Sequence, residues 1–437
     1  MATAAYPPSP NRVAPSQPGY AMRRRSNRLA GLFFVFVTVI AVAGARLSSG
    51  ASLEGFLRSV QLIDLALPYL AAIVLFHFAT ITGIVGRRVI NAGFLFLLFA
   101  GFSSVVGHFV VDEGPGLSVV GLSVLFFVKE IEFFLVLGFA ALVAFDHPVI
   151  AWRTLAVACV FLAVWAIKEL IFPTGLYYVG LPFEGGPSQA GAVYAIFVFV
   201  WCVIVAYRWA GAGRVFRYLI APTVFALLVA GNLGSLSRTG QAGLLAGLAI
   251  MMLARARNWP ITLVVVPMMY LVYALAFTDA QSVLDFGIAS RWSGAADNFP
   301  DRVVKWVAMI DFQRDNPLSF FTGCGFNSPN RYVLYQFANV IDLGNVLAVD
   351  NGYVRRVFEI GIIGTALYFL FLGRLFLALW KTRFAPFAAG AFVAMATIAV
   401  AIESFQVTQT AIAFFLFCGV TFGIAAREKM DAQSSRA

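Results

Sequence analysis

The sequence predicts an all-α polytopic membrane protein with about twelve transmembrane helices. Its 437 residues are 61% hydrophobic and only 12% charged, with a mean hydropathy of +0.85, whereas soluble domains are about 45–50% apolar and about 25% charged. The apolar segments are continuous runs of about 20 residues, the length of a helix that crosses a bilayer. They lack the alternation of barrel strands, and basic residues recur in every second connection between them.

The predicted spans follow one another along the chain and leave one long gap after the ninth. They lie near residues 29–45, 61–84, 90–111, 120–145, 153–172, 189–208, 215–235, 238–255, 259–278, 354–378, 386–403 and 410–426. The first residues are rich in proline and serine, which is typical of a disordered tail. The predicted organisation is a disordered tail at 1–28, nine spans at 29–278, a large loop at 279–353, three spans at 354–426 and a tail at 427–437.

The basic residues predict the orientation, because lysine and arginine are retained on the cytoplasmic side. Four arginines lie within residues 23–28 before the first span, and Arg427 and Lys429 follow the last. The connections 112–119 and 173–188 on the other side contain neither lysine nor arginine. We therefore expect both termini in the cytoplasm and the large loop outside. The formal net charge of +10 follows from this topology and gives no support for nucleic-acid binding.

Charged residues inside the spans cluster toward one end of their helices. A charge in lipid costs at least about 2.5–3.5 kcal/mol, so it needs a partner or a water-filled cavity. Span four carries Lys129, Glu130 and Glu132, and span five carries Lys168 and Glu169 near its end. Each charge alone is explained by a helix end that reaches the headgroups. Together they predict a polar cavity that opens to the outside.

The stretch SLSRTG places Arg238 at the junction of spans seven and eight, directly after Ser237. A helix N-terminus offers free N–H donors and partial positive charge, and guanidinium binds phosphate with two parallel hydrogen bonds. Arg238 is therefore a candidate anion-binding residue. The alternative is that it extends to the interface as an ordinary snorkelling side chain.

The large loop is long for a connector and rich in aromatic residues and glycine, so we expect it to be ordered, with short helices. Apolar residues recur at helical spacing over 301–313, which predicts an amphipathic helix. Asn316-Pro317 should end it, and Gly323-Cys324-Gly325 should form a tight turn. The three histidines are scattered, with no ligand spacing, so we predict no metal site and no cofactor.

Polar residues also mark the helix after the loop. Asn351, Arg355 and Glu359 fall on one helical face, and Arg355 with Glu359 would form an i, i+4 ion pair. Asp350 has two candidate roles. As a structural residue it would cap the helix N-terminus, and as a functional residue it would act as a general base.

Four motifs, in order along the chain, carry a resemblance to a known family. They are PFEGGPSQAGAVYAI at 182–196, SLSRTG at 235–240, a loose R…W…P…GxG pattern at 302–325, and DNGYVRRVFEIGIIG at 350–364. Together they resemble the O-antigen ligase and Wzy-type polysaccharide polymerase superfamily. The resemblance implies a GT-C-like, metal-independent glycosyltransferase that takes a glycan from an undecaprenyl-diphosphate carrier at the periplasmic face of the bacterial inner membrane.

The same resemblance assigns roles to individual residues. Arg238 and a loop arginine, Arg291 or Arg302, would neutralise the diphosphate leaving group, and Asp350 would be the catalytic base. The supporting residues would be Ser237, Asn351, Arg355 and Glu359. Ligases generally have histidine at the position of Asp350, so its identity favours a polymerase.

Alternatives of the same and of another class stay open at this point. An O-antigen ligase would transfer the glycan to lipid A–core, and a secondary transporter would move a lipid or a small anion. A structural scaffold would leave the clustered polar residues without a reason. For the polymerase the implied partners are the lipid-linked oligosaccharide, the growing polysaccharide, membrane lipids, a flippase and a chain-length regulator.

Overall fold

A computed structural model gives the fold and describes residues 19–43, 62–110, 117–172, 178–182, 187–254, 299–329, 351–400 and 408–435. Every regular element in these ranges is helical. Six of the described helices are long and apolar enough to cross a membrane, and a bent helix pair would add a seventh span. The prediction of an all-α polytopic membrane protein is confirmed. The count of twelve spans, the cytoplasmic termini and the periplasmic loop stay predictions.

The helices agree in order and position with most of the predicted spans. In the first part of the chain they are α1 Gly19–Ala43, α2 Leu62–Phe76, α3 Phe78–Val85, α4 Arg87–Val110, α5 Leu117–Asp146, α6 Pro148–Ile171, α7 Pro187–Arg208, α8 Ala221–Gly234 and α9 Arg238–Leu253. In the second part they are α10 Phe299–Asp315, α11 Pro317–Thr322, α12 Gly352–Trp380, α13 Ala385–Ala399 and α14 Thr408–Ser434. The predicted span 259–278 lies outside the described residues.

The second predicted span, 61–84, is not one straight helix. It divides at His77 into α2 and α3, whose axes meet at 79°. The sequence predicted a single span because hydropathy measures the apolar length of a segment and carries no information on the direction of its axis. Gly86, with φ of 99°, then separates α3 from α4. The chain direction therefore changes at His77 and again at Gly86.

The predicted amphipathic helix 301–313 corresponds to α10, which ends directly before Asn316-Pro317 as expected. Its packed face differs from the apolar residues that predicted it. Met309 and Gln313 are buried, whereas Val307 and Ile310 are about half exposed. Val307 and Ile310 therefore face away from the described core, as they would in a helix that lies on a membrane surface, whereas Val303 and Trp306 are half-buried.

Two pairs of helices approach each other through glycines at four-residue spacing. On α14, a Cβ at Gly419 would lie 2.4 Å from the carbonyl oxygen of Leu137 in α5, and one at Gly423 would lie 2.3 Å from that of Ala141. Small residues at this spacing let membrane helices pack backbone to backbone. The α5–α14 contact is the most extensive in the described fold.

Glycines at four-residue spacing also bring α9 close to α13, and this contact shows which helix ends lie together. A Cβ at Gly243 would lie 2.9 Å from the carbonyl oxygen of Ala394, and one at Gly247 would lie 2.5 Å from that of Gly390, so α9 and α13 run antiparallel. The hydroxyl of Tyr353, near the start of α12, donates to the carbonyl oxygen of Ala396 at 2.7 Å. Both α9 and α12 therefore begin at the C-terminal end of α13. We call this end of the bundle the site end.

Candidate functional site

The turn between α8 and α9 places Arg238 at the first position of α9. Ser237 is the N-cap, and its side-chain oxygen accepts a hydrogen bond from the backbone N–H of Gly240 at 3.0 Å. Leu236 has φ of 53°, a left-handed conformation that leucine rarely adopts. Arg238 itself is half-buried. It thus stands where free N–H groups and the positive end of the helix dipole are found.

Small polar residues fasten this turn to α7. Asn232 donates from Nδ2 to the carbonyl oxygen of Gly191 at 2.7 Å, and the Ser235 hydroxyl donates to the carbonyl oxygen of Asn232 at 2.6 Å. Gly191 is needed for the close approach, since a Cβ there would lie 2.5 Å from the Cβ of Ser237. The backbone that carries Arg238 is therefore held from two sides, which limits how far its guanidinium can move.

The start of α12 is capped by Asn351. Its side-chain oxygen accepts from the backbone N–H groups of Tyr353 at 2.9 Å and of Val354 at 3.1 Å. The sequence assigned the structural cap to Asp350, one residue earlier, and that assignment is wrong because the extended backbone and the two hydrogen bonds of an N-cap both belong to Asn351. Asp350 lies outside the described residues, so its role as a base stays a prediction.

Arg355 and Glu359 form the predicted i, i+4 ion pair, but both are turned into the protein. Arg355 Nε lies 2.9 Å from Glu359 Oε1, and the two side chains are 3% and 0% exposed. The same carboxylate oxygen accepts from the backbone N–H of Asn327 at 2.9 Å. The pair thereby attaches the segment after α11 to the first turns of α12, which is a positioning role.

A break inside α12 completes this attachment. Gly361 has φ of 67°, so the carbonyl groups just before it are free of the regular helical pattern. The oxygen of Phe358 accepts from the backbone N–H of Cys324 at 2.8 Å, and that of Glu359 accepts from Gly325 at 2.9 Å. The predicted Gly323-Cys324-Gly325 turn is present, with φ of 83° and 85° at its glycines. Loop and helix are joined here by main-chain hydrogen bonds.

Cys324 sits at the centre of this junction and is buried. Burial raises the pKa of its thiol to about 12. The thiol therefore stays protonated at neutral pH, whereas a nucleophilic cysteine reacts as the thiolate. Cys324 is a packing residue in this site.

A second buried ion pair links α5 to α12, and the sequence prediction missed half of it. Arg356 Nη2 lies 2.6 Å from Glu130 Oε1, with side chains 2% and 5% exposed, and the guanidinium carbon lies 4.6 Å from the ring centre of Tyr368. Arg356 follows Arg355 directly, but it points to a different neighbour. The signal that would have found it is the rule that a carboxylate within a membrane span needs a cationic partner.

Lys129 and Glu132 extend this buried polarity toward α2. Lys129 Nζ lies 3.5 Å from Asp64 Oδ1, and Glu132 is fully buried. Asp64 is the second partner that the sequence prediction missed, although it is an isolated carboxylate in an apolar span. Lys129 and Glu130 are thus paired within the protein, whereas both carboxylate oxygens of Glu132 are buried without a described hydrogen-bond partner. These residues do not line the open polar cavity that their clustering predicted.

Removal of Arg356 should be strongly destabilising, because it leaves Glu130 buried without its partner. We expect Arg356→Met to lower the free energy of unfolding by about 3–5 kcal/mol, and the double variant Glu130→Gln/Arg356→Met to recover most of that loss. Denaturation with sodium dodecyl sulfate would measure both. Arg314→Met is the matched control, since Arg314 pairs with Asp311 at the surface and should cost less than about 1 kcal/mol. A single variant no weaker than this control would contradict the pairing.

The large loop contains three of the predicted charged site residues. Arg291 lies outside the described residues, as does Asp350. Arg302 lies in α10, but nothing is described of its side chain.

Lys168 and Glu169 form an ion pair of 2.5 Å near the end of α6. Of the predicted site residues, the described set therefore brings Arg355 and Glu359 together and places Arg238 and Asn351 at helix starts on the site end.

Comparison with known proteins points to one family. A family model described as O-antigen ligase matches residues 223–369, from the beginning of α8 to the middle of α12. The match includes the turn that carries Arg238, the whole of the large loop and the capped start of α12. No curated protein matches the chain.

Proposed function

We propose that this chain, a member of the O-antigen ligase and Wzy-type polymerase superfamily by its domain at residues 223–369, is a polysaccharide polymerase of the bacterial inner membrane. It would join undecaprenyl-diphosphate-linked oligosaccharide repeats at the periplasmic face. The observation that carries the proposal is the shared position of two helix starts. Arg238 begins α9 and Asn351 caps α12, and both helices begin at the C-terminal end of α13.

Arg238 supplies what a diphosphate leaving group requires. Negative charge grows on the bridging oxygen as the glycosidic bond breaks, and a guanidinium at a helix N-terminus stabilises that charge without reorganisation. The fixed turn around Ser237 and Gly191 favours this, because electrostatic stabilisation is strongest when the donors are held in place beforehand. A loop arginine, Arg291 or Arg302, would provide a second guanidinium in this proposal.

Asp350 is the proposed base that takes the proton from the attacking sugar hydroxyl. The Asn351 cap fixes the backbone directly after it, so the carboxylate is attached to a defined point at the site end. The buried Arg355–Glu359 pair would hold the loop end beside the start of α12. In this arrangement Ser237, Asn351, Arg355 and Glu359 position the reacting groups and do not touch the substrate.

The proposed partners follow from the reaction. The donor is a growing polysaccharide on its lipid carrier, and the acceptor is the next lipid-linked repeat. A flippase would deliver the repeats to the periplasmic face, and a chain-length regulator would end the growth. The polyprenyl anchors require a catalyst that is open to the bilayer, which a bundle of membrane helices provides.

O-antigen ligase is the second candidate, and the description of the matching family favours it. The two activities share the donor and differ in the acceptor, which is lipid A–core for the ligase. Asp350 favours the polymerase in our proposal, because ligases generally have histidine at the corresponding position. A transporter receives no comparable support, because Lys129 and Glu130 of α5 are paired inside the protein and no comparison names a transport family.

Deletion of the gene tests the proposal through the glycans of the cell. A polymerase deletion should accumulate single lipid-linked repeats and lose long chains, and Asp350→Asn should fail to restore them. The matched control is Asp315→Asn, which neutralises an exposed aspartate of α10 and should restore polymer fully. Loss of glycan from lipid A alone, with long lipid-linked chains retained, would identify a ligase. Unchanged polymer with altered solute uptake would identify a transporter.

A further inference from the structure

A wide cleft lies at the end of the bundle opposite the site end, among the α3–α4 junction and the last turns of α12 and α14. Its volume is about 1110 Å³. Along α12 beyond its break at Gly361, 20 residues separate Gly361 from Lys381, which corresponds to about 30 Å of helix. That separation matches the thickness of the hydrocarbon core, about 30 Å. If the site end lies at one membrane surface, this cleft lies at the headgroup level of the other.

Positive charge dominates the lining of the cleft. The lining cations are Arg87, Arg88, Arg374, Lys381, Arg383 and Lys429. Within the described part of the chain the one carboxylate in the lining is Glu428, and it is paired with Arg383. The other five cations have no described acidic partner, so the cleft carries a large excess of positive charge.

The position of Arg87 and Arg88 adds a second reason to expect an anion. They open α4, and no acidic residue lies in its first turn. Cations at a helix N-terminus add to the positive end of the dipole, which is unfavourable unless an anion binds there. Gly86 makes the turn just before them, with φ of 99°, and the space that a side chain at this position would occupy is open.

The cleft also has an apolar wall, which distinguishes it from an ordinary ring of surface cations. Val85, Leu377, Ala378 and Phe422 line it beside the charged residues, and Leu377 is 53% exposed. A free phosphate would use only the cations. A molecule with a charged head and acyl chains would use both surfaces.

We propose that this cleft binds the phosphate headgroup of an anionic phospholipid, with its acyl chains along the apolar wall. Basic pockets between membrane helices bind such headgroups through the cations, and hydrocarbon covers the apolar side chains. Because the cleft joins α3, α4, α12 and α14, the bound lipid would connect helices from both halves of the chain. The site is separate from the candidate glycan site and does not depend on its assignment.

Native mass spectrometry of the full-length protein in detergent tests the proposal with phosphatidylglycerol and phosphatidylcholine as probes. We expect the protein to retain phosphatidylglycerol in preference to phosphatidylcholine. The double variant Arg374→Gln/Lys381→Gln should weaken phosphatidylglycerol binding about thirtyfold, because each of the two cations near a membrane surface contributes about 1 kcal/mol and 1.4 kcal/mol is a factor of ten in affinity. Both side chains are exposed and have no described partner, so the variant should fold, and its thermal unfolding midpoint would check this.

A control variant and a competition with inorganic phosphate distinguish the possible outcomes. The control variant Arg153→Gln/Arg214→Gln removes two cations from the same end of the bundle but outside the cleft, and it should bind phosphatidylglycerol as the parent does. Equal loss in both double variants would show a general charge effect and overturn the site. The second arm adds inorganic phosphate at millimolar concentration. If phosphate alone displaces the bound phosphatidylglycerol, the cleft is a site for soluble phosphate and the lipid assignment is wrong.

Discussion

Arg238→Ala is expected to slow glycan transfer about 100- to 1000-fold while the protein stays folded. The magnitude is that of removing one preorganised donor from the position where negative charge develops. Stability should be little affected, because Ser237 and not Arg238 caps α9, and the hydrogen bonds from Asn232 and Ser235 hold the turn. The measurement is the rate of chain extension in proteoliposomes with a purified lipid-linked repeat, together with the thermal unfolding midpoint.

Two further variants test whether a slower transfer rate in Arg238→Ala reflects lost phosphate binding. Arg238→Lys keeps the charge but loses the planar fork that grips phosphate with two bonds, so its rate should fall between those of the parent and the alanine variant. Arg314→Ala removes an exposed arginine, 72% accessible, from α10 and should leave the rate unchanged. If Arg238→Ala extended chains within threefold of the parent, a phosphate-binding role for this residue would be untenable.

Gly361→Ala should remove both stability and activity, because two constraints coincide at this position. Its φ of 67° lies in the region that only glycine adopts freely, and a Cβ there would lie 2.3 Å from the carbonyl oxygen of Phe321. Since the bonds from Cys324 and Gly325 depend on the same break in α12, the loop end should separate from the helix. We expect a loss of at least about 3 kcal/mol in the free energy of unfolding, the range of severe backbone and packing defects.

Gly373 provides the matched control for Gly361 in the same helix. A Cβ at Gly373 would meet nothing within 4 Å, and alanine is favoured over glycine in a helix by about 1 kcal/mol. Gly373→Ala should therefore leave the protein as stable as the parent or slightly more so. The measurement for both variants is denaturation with sodium dodecyl sulfate, followed by the chain-extension rate. Equal stability of the two variants would contradict the structural role of the break.

Local patterns in the sequence predicted local structure well. The start of α9 at Arg238, the end of α10 before Asn316-Pro317 and the Arg355–Glu359 pair all depend on residues within a few positions of each other. These features follow from hydropathy, helix periodicity and backbone preferences. The cap of α12 was displaced by one residue, to Asn351, because aspartate and asparagine are both good N-caps and the sequence alone does not choose between adjacent candidates.

Long-range pairs could not be predicted in the same way. Glu130 and Arg356 are 226 positions apart, and nothing local to either indicates the other. The same holds for Asp64 and Lys129, which meet across α2 and α5. The sequence indicated that the charges of α5 need partners, but the alternative of a water-filled cavity was equally consistent with that need. Only the packing of the helices decides between them.

The small residues of α13 set the spacing between the two helix starts at the site end. Gly390 and Ala394 let α9 lie directly against α13, while the hydroxyl of Tyr353 in α12 donates to the carbonyl oxygen of Ala396 in α13. None of these residues has a group that takes part in catalysis. A bulkier side chain at position 394 would push α9 away from α13. In the proposed mechanism this would lengthen the gap between a phosphate held by Arg238 and an acceptor activated at the start of α12. Small residues at positions 390 and 394 are thus a condition for the proposed transfer, and a survey of natural variants should weigh such uncharged positions beside the charged ones.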